Sequence, residues 1–123
     1  MAELAASGAR AQAEAAQREI DAFLAELTRR GVAPEPLRAK LLNGTVVRTD
    51  QVGWYLNAAK SLAIGPGGEY YQLVVPGSPL ARFRGVSVPT SQPSMEVGRG
   101  GKDGESGDLR DFLARALAAY TAS

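Results

Sequence analysis

Residues able to do chemistry cluster first in "VGRGGKDGESGDLRDF", residues 97–112. It holds five glycines, the cations Arg99, Lys102 and Arg110, and the carboxylates Asp103, Glu105, Asp108 and Asp111. A phosphate-cradling loop needs Gly-x-x-x-x-Gly-Lys-Ser/Thr, whose hydroxyl binds Mg²⁺. Gly101-Lys102 supplies the middle, but position 96 is Glu and position 103 is Asp. The first glycine and the hydroxyl are therefore missing, and a dinucleotide fingerprint fails at the same Asp103. Free N–H groups at the start of a following helix attract anions, yet the four carboxylates repel phosphate there. Those carboxylates could hold Ca²⁺ or Mg²⁺, but their spacing does not fit an EF-hand. The reading adopted for residues 98–107 is a solvated glycine-rich loop, with no metal and no cofactor assigned.

Two absences weigh more than any motif. The chain has no histidine and no cysteine. Ser-His-Asp and Cys-His machinery and the usual zinc sites cannot be built without them. Lys60 and Ser61 are adjacent, and strand neighbours point to opposite faces, so they form no dyad. Tyr55 and Lys60 lack the spacing of a reductase pair. A carboxylate-dependent enzyme is a minor alternative for which no acidic pair stands out. No catalytic residue is assigned, and a non-enzymatic protein is expected.

A second group is Tyr55, Tyr70, Arg82 and Arg84. If these share a sheet face opposite the core, aromatics among arginines suit single-stranded nucleic acid. The competing reading is ordinary cross-strand pairing on a solvated face. Net charge is only +1, but it is unevenly spread. Residues 1–28 are acidic through Glu3, Glu14, Glu19, Asp21 and Glu26. Residues 29–84 are basic through Arg29, Arg30, Arg38, Lys40, Arg48, Lys60, Arg82 and Arg84. The two segments either complement each other or leave the middle one to an anionic partner.

The elements that must position these groups follow from periodicity. Ala9, Ala13, Ala16, Ile20, Phe23 and Leu27 recur at alternating spacings of four and three, which predicts a helix over residues 1–30. The upstream half of that stripe is alanine, which favours helix but buries little area. It either frays or packs against another helix, including a second copy. Ala9, Ala13, Ala16 and Ile20 are therefore the candidate partner-binding residues. Gly31 is a natural stop after Arg29 and Arg30.

Pro34 and Pro36 break the helix. Leu37, Ala39 and Leu41 alternate with Arg38 and Lys40, which predicts a strand; a short helix over 35–42 competes. Asn43-Gly44 predicts a hairpin. "GWYLN" reads as a short strand carrying Trp54 and Leu56 into the core. "SLAIGPGGEYYQLVV" reads as a hairpin about Gly65–Gly68, "PLARFRGVSV" as another strand, and "MEV" as a last one. From Asp108, Leu109, Phe112, Leu113, Ala116, Leu117 and Tyr120 form a helical stripe, with Asp108 as N-cap.

With 123 residues, 45% hydrophobic and 22% charged, one ordinary globular domain over 1–123 is expected. The fold class is α+β. An antiparallel sheet of four to six short strands, residues 37–97, is flanked by an N-terminal amphipathic helix (1–30) and a C-terminal one (108–121). The alanine-, arginine- and glycine-rich composition suits a GC-rich bacterial genome. No secretion leader or membrane span is apparent, so a cytoplasmic location is expected. The motifs are generic and name no family. The functional expectation is a protein-protein interaction or self-associating module, a homodimer through the first helix being one form. Nucleic-acid binding through Tyr55, Tyr70, Arg82 and Arg84 is the alternative.

Overall fold

The structure, a computed structural model, describes residues 2–77, 84–97 and 106–122, with residues 2–7 described by their helical backbone alone. The fold is α+β, with a helix near each end of the chain and a five-stranded sheet between them in sequence. The elements are α1 (Ala2–Arg29), β1 (Glu35–Leu41), β2 (Val46–Tyr55), β3 (Leu62–Ile64), β4 (Tyr70–Gln72), β5 (Val74–Val75), β6 (Glu96–Val97), β7 (Gly107–Asp108) and α2 (Leu109–Thr121). They form two compact units: α1, β6, β7 and α2 in one, β1 to β5 in the other.

In the helical unit, α1 and α2 pack together, and Arg110 Nε reaches Glu19 Oε1 at 2.9 Å. Of the predicted stripes, Ala16, Ile20, Phe23 and Leu27 on α1 and Leu109, Phe112, Leu113 and Ala116 on α2 are buried, while Ala9 is exposed and Ala13, Leu117 and Tyr120 are half-buried. The helix α1 ends in a Schellman motif. Gly31 N–H bonds the Thr28 carbonyl and Val32 N–H the Leu27 carbonyl, with Gly31 at φ +69°. Glu26 gathers both Arg29 and Arg30, the latter at 2.7 Å. Asp108 caps α2 by accepting from Arg110 N–H at 3.0 Å. A pairing not foreseen, β6 with β7, joins Glu96 to Asp108 and Val97 to Gly107.

In the sheet unit the order is β4-β3-β2-β1-β5. Residues 35–41 are strand, as the alternation predicts: Leu37, Ala39 and Leu41 are buried, Pro36, Arg38 and Lys40 exposed. The strand expected at "GWYLN" is the end of a ten-residue β2. Gly53 allows β2 to approach β3, because a Cβ there would lie 2.1 Å from the Ile64 carbonyl oxygen. The sheet is mixed rather than purely antiparallel, since β5 runs parallel to β1. Leu73 makes the exchange: its N–H bonds the Ser61 carbonyl, and its carbonyl accepts from Lys40 N–H at 2.7 Å. The return strand of the second hairpin thus leaves β3 and joins β1.

One core cluster packs Leu37, Ala39, Leu41, Val47, Tyr55, Ala63, Tyr71, Leu73 and Val88. The strand predicted over "PLARFRGVSV" falls partly on residues 78–83, outside the described residues. Within the described part, Val86 forms an isolated parallel bridge to Thr49. Most of the glycine-rich loop, residues 98–105, also lies outside them, and with it the anion or metal reading of that loop.

Candidate partner-binding surface

Hairpin geometry decides which β1 and β2 side chains meet. The turn spans Leu42, Asn43 and Gly44. Leu41 N–H bonds the Thr45 carbonyl at 2.8 Å, Gly44 N–H bonds the Leu41 carbonyl, and Gly44 sits at φ +91°. Three-residue loops need a left-handed residue at this point. This loop places Lys40 opposite Val46, Ala39 opposite Val47 and Arg38 opposite Arg48. A two-residue Asn-Gly loop would set Lys40 opposite Val47 and turn the strand over.

The consequence is an open face on β1 and β2. Pro36, Arg38 and Lys40 are exposed on one strand, with Val46, Arg48, Asp50 and Val52 exposed on the other. Directly opposite side chains on such a pair lie about 5 Å apart, and alternate residues on one strand about 7 Å apart. Two arginines therefore face each other across the strands, with Lys40 beside them. Leu42, Val46 and Val52 are 62%, 54% and 43% exposed, the large hydrophobics that stand out to solvent among the described residues. All three belong to this hairpin.

Asp50 is the acid nearest in sequence, and it is committed elsewhere. It accepts from Ser87 Oγ at 2.9 Å and from Val88 N–H at 3.2 Å. Burial works against its charge, but these hydrogen bonds outweigh burial and hold its carboxyl below the usual value. Asp50 thus clamps residues 87 and 88 to β2.

The residues singled out for nucleic acid are placed differently from the expectation. Register puts Trp54, Ile64 and Tyr70 in one cross-strand row and Tyr55, Ala63 and Tyr71 in the next. Neighbouring rows point to opposite faces, so Tyr55 and Tyr70 do not share one. Both are also buried, at 8% and 6% exposure, and present no ring to an incoming base. Arg84 is exposed, and Arg82 lies outside the described residues. Lys60 stands over the Tyr55 ring at 5.2 Å, while Ser61 is buried and hydrogen-bonded by Asn57 Nδ2 at 2.8 Å.

The α1 residues divide as well. Ala16 and Ile20 are fully buried within the chain, so no partner reaches them. Ala9 is exposed and Ala13 half-buried. The helix α1 is about 42 Å long and α2 about 20 Å at 1.5 Å per residue, so α2 cannot cover all of it.

Sequence reasoning missed Arg38–Arg48 and the exposed valines as a site. The alternation of Arg38 and Lys40 was a signal for half of it; the loop length carried the other half. Trp54 was placed correctly in the interior, 5% exposed, but its indole Nε1 has no hydrogen-bond partner there, which no pattern announces. Among the described residues, no three Asp or Glu side chains converge as a metal-holding group, and no helix is long and apolar enough to cross a membrane.

No protein-family model matches the chain, and neither a curated protein nor a solved structure does.

Proposed function

We propose that this chain acts by binding another protein, and that the open β1–β2 face is its contact surface. The observation that carries the reading is the coincidence of Leu42, Val46 and Val52, all exposed, with Arg38, Lys40 and Arg48 on one hairpin. Exposed aliphatics gathered around fixed cations are the composition of an interaction patch rather than of a plain solvated surface. The test is a photo-cross-linking residue at Val46 in the native cell, with the same residue at exposed Ala118 on α2 as control. A discrete protein adduct at position 46 alone is the expected result. Equal labelling at both positions, or none at either, would remove the reading.

A second reading is self-association through the upstream half of α1. It is favoured by the exposure of Ala9 and half-exposure of Ala13 on a stripe whose downstream part is buried. Sedimentation at two concentrations, with wild type against Ala9→Glu/Ala13→Glu, tests it. A dimer lost in the variant is expected; a monomer throughout removes this version.

A further inference from the structure

We propose that residues 86–91 form a strap that spans β3 and opens as one unit ahead of the sheet, with Asp50 as its latch. This inference stands apart from the protein-binding reading. The strap meets the sheet at isolated points: Thr49 pairs with Val86 in parallel, and Tyr70 with Ser91 antiparallel. Those points lie on β2 and β4, which are not neighbours, because β3 stands between them. Val86 N–H bonds the Arg48 carbonyl and Ser91 N–H the Tyr70 carbonyl, each at 2.8 Å. Between them Pro89 has no N–H to give to a ladder, and Ser87, Pro89 and Thr90 are exposed. Residues 86–91 therefore bridge the sheet rather than extend it.

Between its ends the strap is held by a buried valine and an exposed carboxylate. Val88 is 3% exposed and belongs to the cluster of Tyr55, Ala63 and Tyr71. The other buried members of that cluster lie on β1 to β4 or at Leu73, and Val86 is only partly buried against it. Asp50 accepts from Ser87 Oγ at 2.9 Å and from Val88 N–H at 3.2 Å. Asp50 is itself exposed, so water competes for both bonds. Segments held by few buried apolar contacts and by water-accessible hydrogen bonds open locally, at lower free energy than the whole fold. The strands do not share that weakness: Leu73 is fully buried, and its N–H and carbonyl bond Ser61 and Lys40 within the sheet. Register sets Ala63 between Tyr55 and Tyr71. Opening withdraws Val88 from this row, so the strap is a lid on an alanine flanked by two tyrosines.

The chain has no cysteine, so Val88→Cys and Val47→Cys each carry a single thiol. Both valines are 3% exposed and share the cluster, one on the strap and one on β2. Under native conditions iodoacetamide should label position 88 about tenfold or more faster than position 47. Equal rates would mean that the strap opens only with the whole fold, and would overturn the proposal. Amide exchange on the wild-type protein is the second measurement. Val86, Val88 and Ser91 should share one protection factor, about tenfold or more below those of Lys40 and Leu73. Asp50→Ala should lower protection at Val86 and Ser91 about tenfold, as at Val88, although neither bonds the Asp50 carboxylate in the interactions that define the strap. Asp50→Asn, which keeps the shape and one carbonyl acceptor, should lower all three by a smaller common factor. Loss at Val88 alone in either variant removes the latch and the unit. Protection of the three amides equal to that of Lys40 and Leu73 removes the opening itself.

Discussion

The Tyr55 hydroxyl accepts a hydrogen bond from the Arg38 backbone N–H at 2.8 Å. The β1–β2 register shifts between Pro36 and Arg38, so the ladder cannot satisfy every backbone group there. On the carbonyl side, Thr49 Oγ1 donates to Leu37 O at 2.7 Å. Two side-chain hydroxyls thus stand in for missing ladder partners, and they hold Arg38 in position opposite Arg48. Tyr55, read from sequence as a possible stacking platform, is a structural support for the basic pair.

Tyr55→Phe should cost about 1–3 kcal/mol, because it leaves the Arg38 N–H without its acceptor while keeping the ring. Thr49→Val should cost a similar amount at the Leu37 carbonyl. Urea unfolding with unchanged slope is the measurement. A midpoint equal to that of wild type for both variants would mean that water replaces the hydroxyls and that the bulge needs no plug.

Arg38→Glu should stabilise the isolated protein, by about 0.5 kcal/mol, since it turns a like-charge cross-strand pair into an opposite-charge one. Thermal unfolding at low and high salt reads the effect, which should shrink as salt screens the pair. A loss of stability at low salt would show that the arginines do not repel each other in the folded chain.

Glu26 carries the clearest pH signature. Hydrogen bonds from Arg29, then Arg30, hold its carboxyl at about 2, below its ordinary 4.5. A depressed carboxyl stabilises the fold fully above its unfolded value, and that contribution fades as pH falls through the folded one. The end of α1 should therefore keep its helical signal down to about pH 4.5 and lose it progressively toward pH 2. Carboxyl NMR titration checks this. An ordinary midpoint for Glu26 would show that the two arginines do not engage it in solution.

Gly53→Ala should be severe, about 3 kcal/mol or more, because the added methyl meets backbone rather than a side chain that can move. The Ile64 carbonyl oxygen would lie 2.1 Å from it. Calorimetry on Gly53→Ala beside exposed Ala118→Gly separates this clash from ordinary helix propensity. A midpoint shift no larger than that of the control would mean that β2 and β3 can part at this point.

Periodicity alone was enough for α1 and α2. Ile20, Phe23 and Leu27, like Phe112, Leu113 and Ala116, repeat at helical spacing, and a helix writes its buried side into nearby residues. Gly31 and Asp108 marked the ends for the same local reason. Strand alternation exposed Arg38 and Lys40 and buried Leu37, Ala39 and Leu41. It also pointed to the turn at Asn43-Gly44.

What the chain could not announce was pairing. Whether Arg38 meets Arg48 depends on one residue of loop length. Whether Tyr55 and Tyr70 share a face depends on the register through Ala63 and Ile64. Whether Val74 joins β3 or β1 is decided at Leu73, whose N–H and carbonyl bond different strands. A side-chain period of two makes each strand's two faces readable and leaves unstated which face meets which neighbour. That choice is made by contacts between residues far apart in the chain, and the basic face of the hairpin exists only once it has been made.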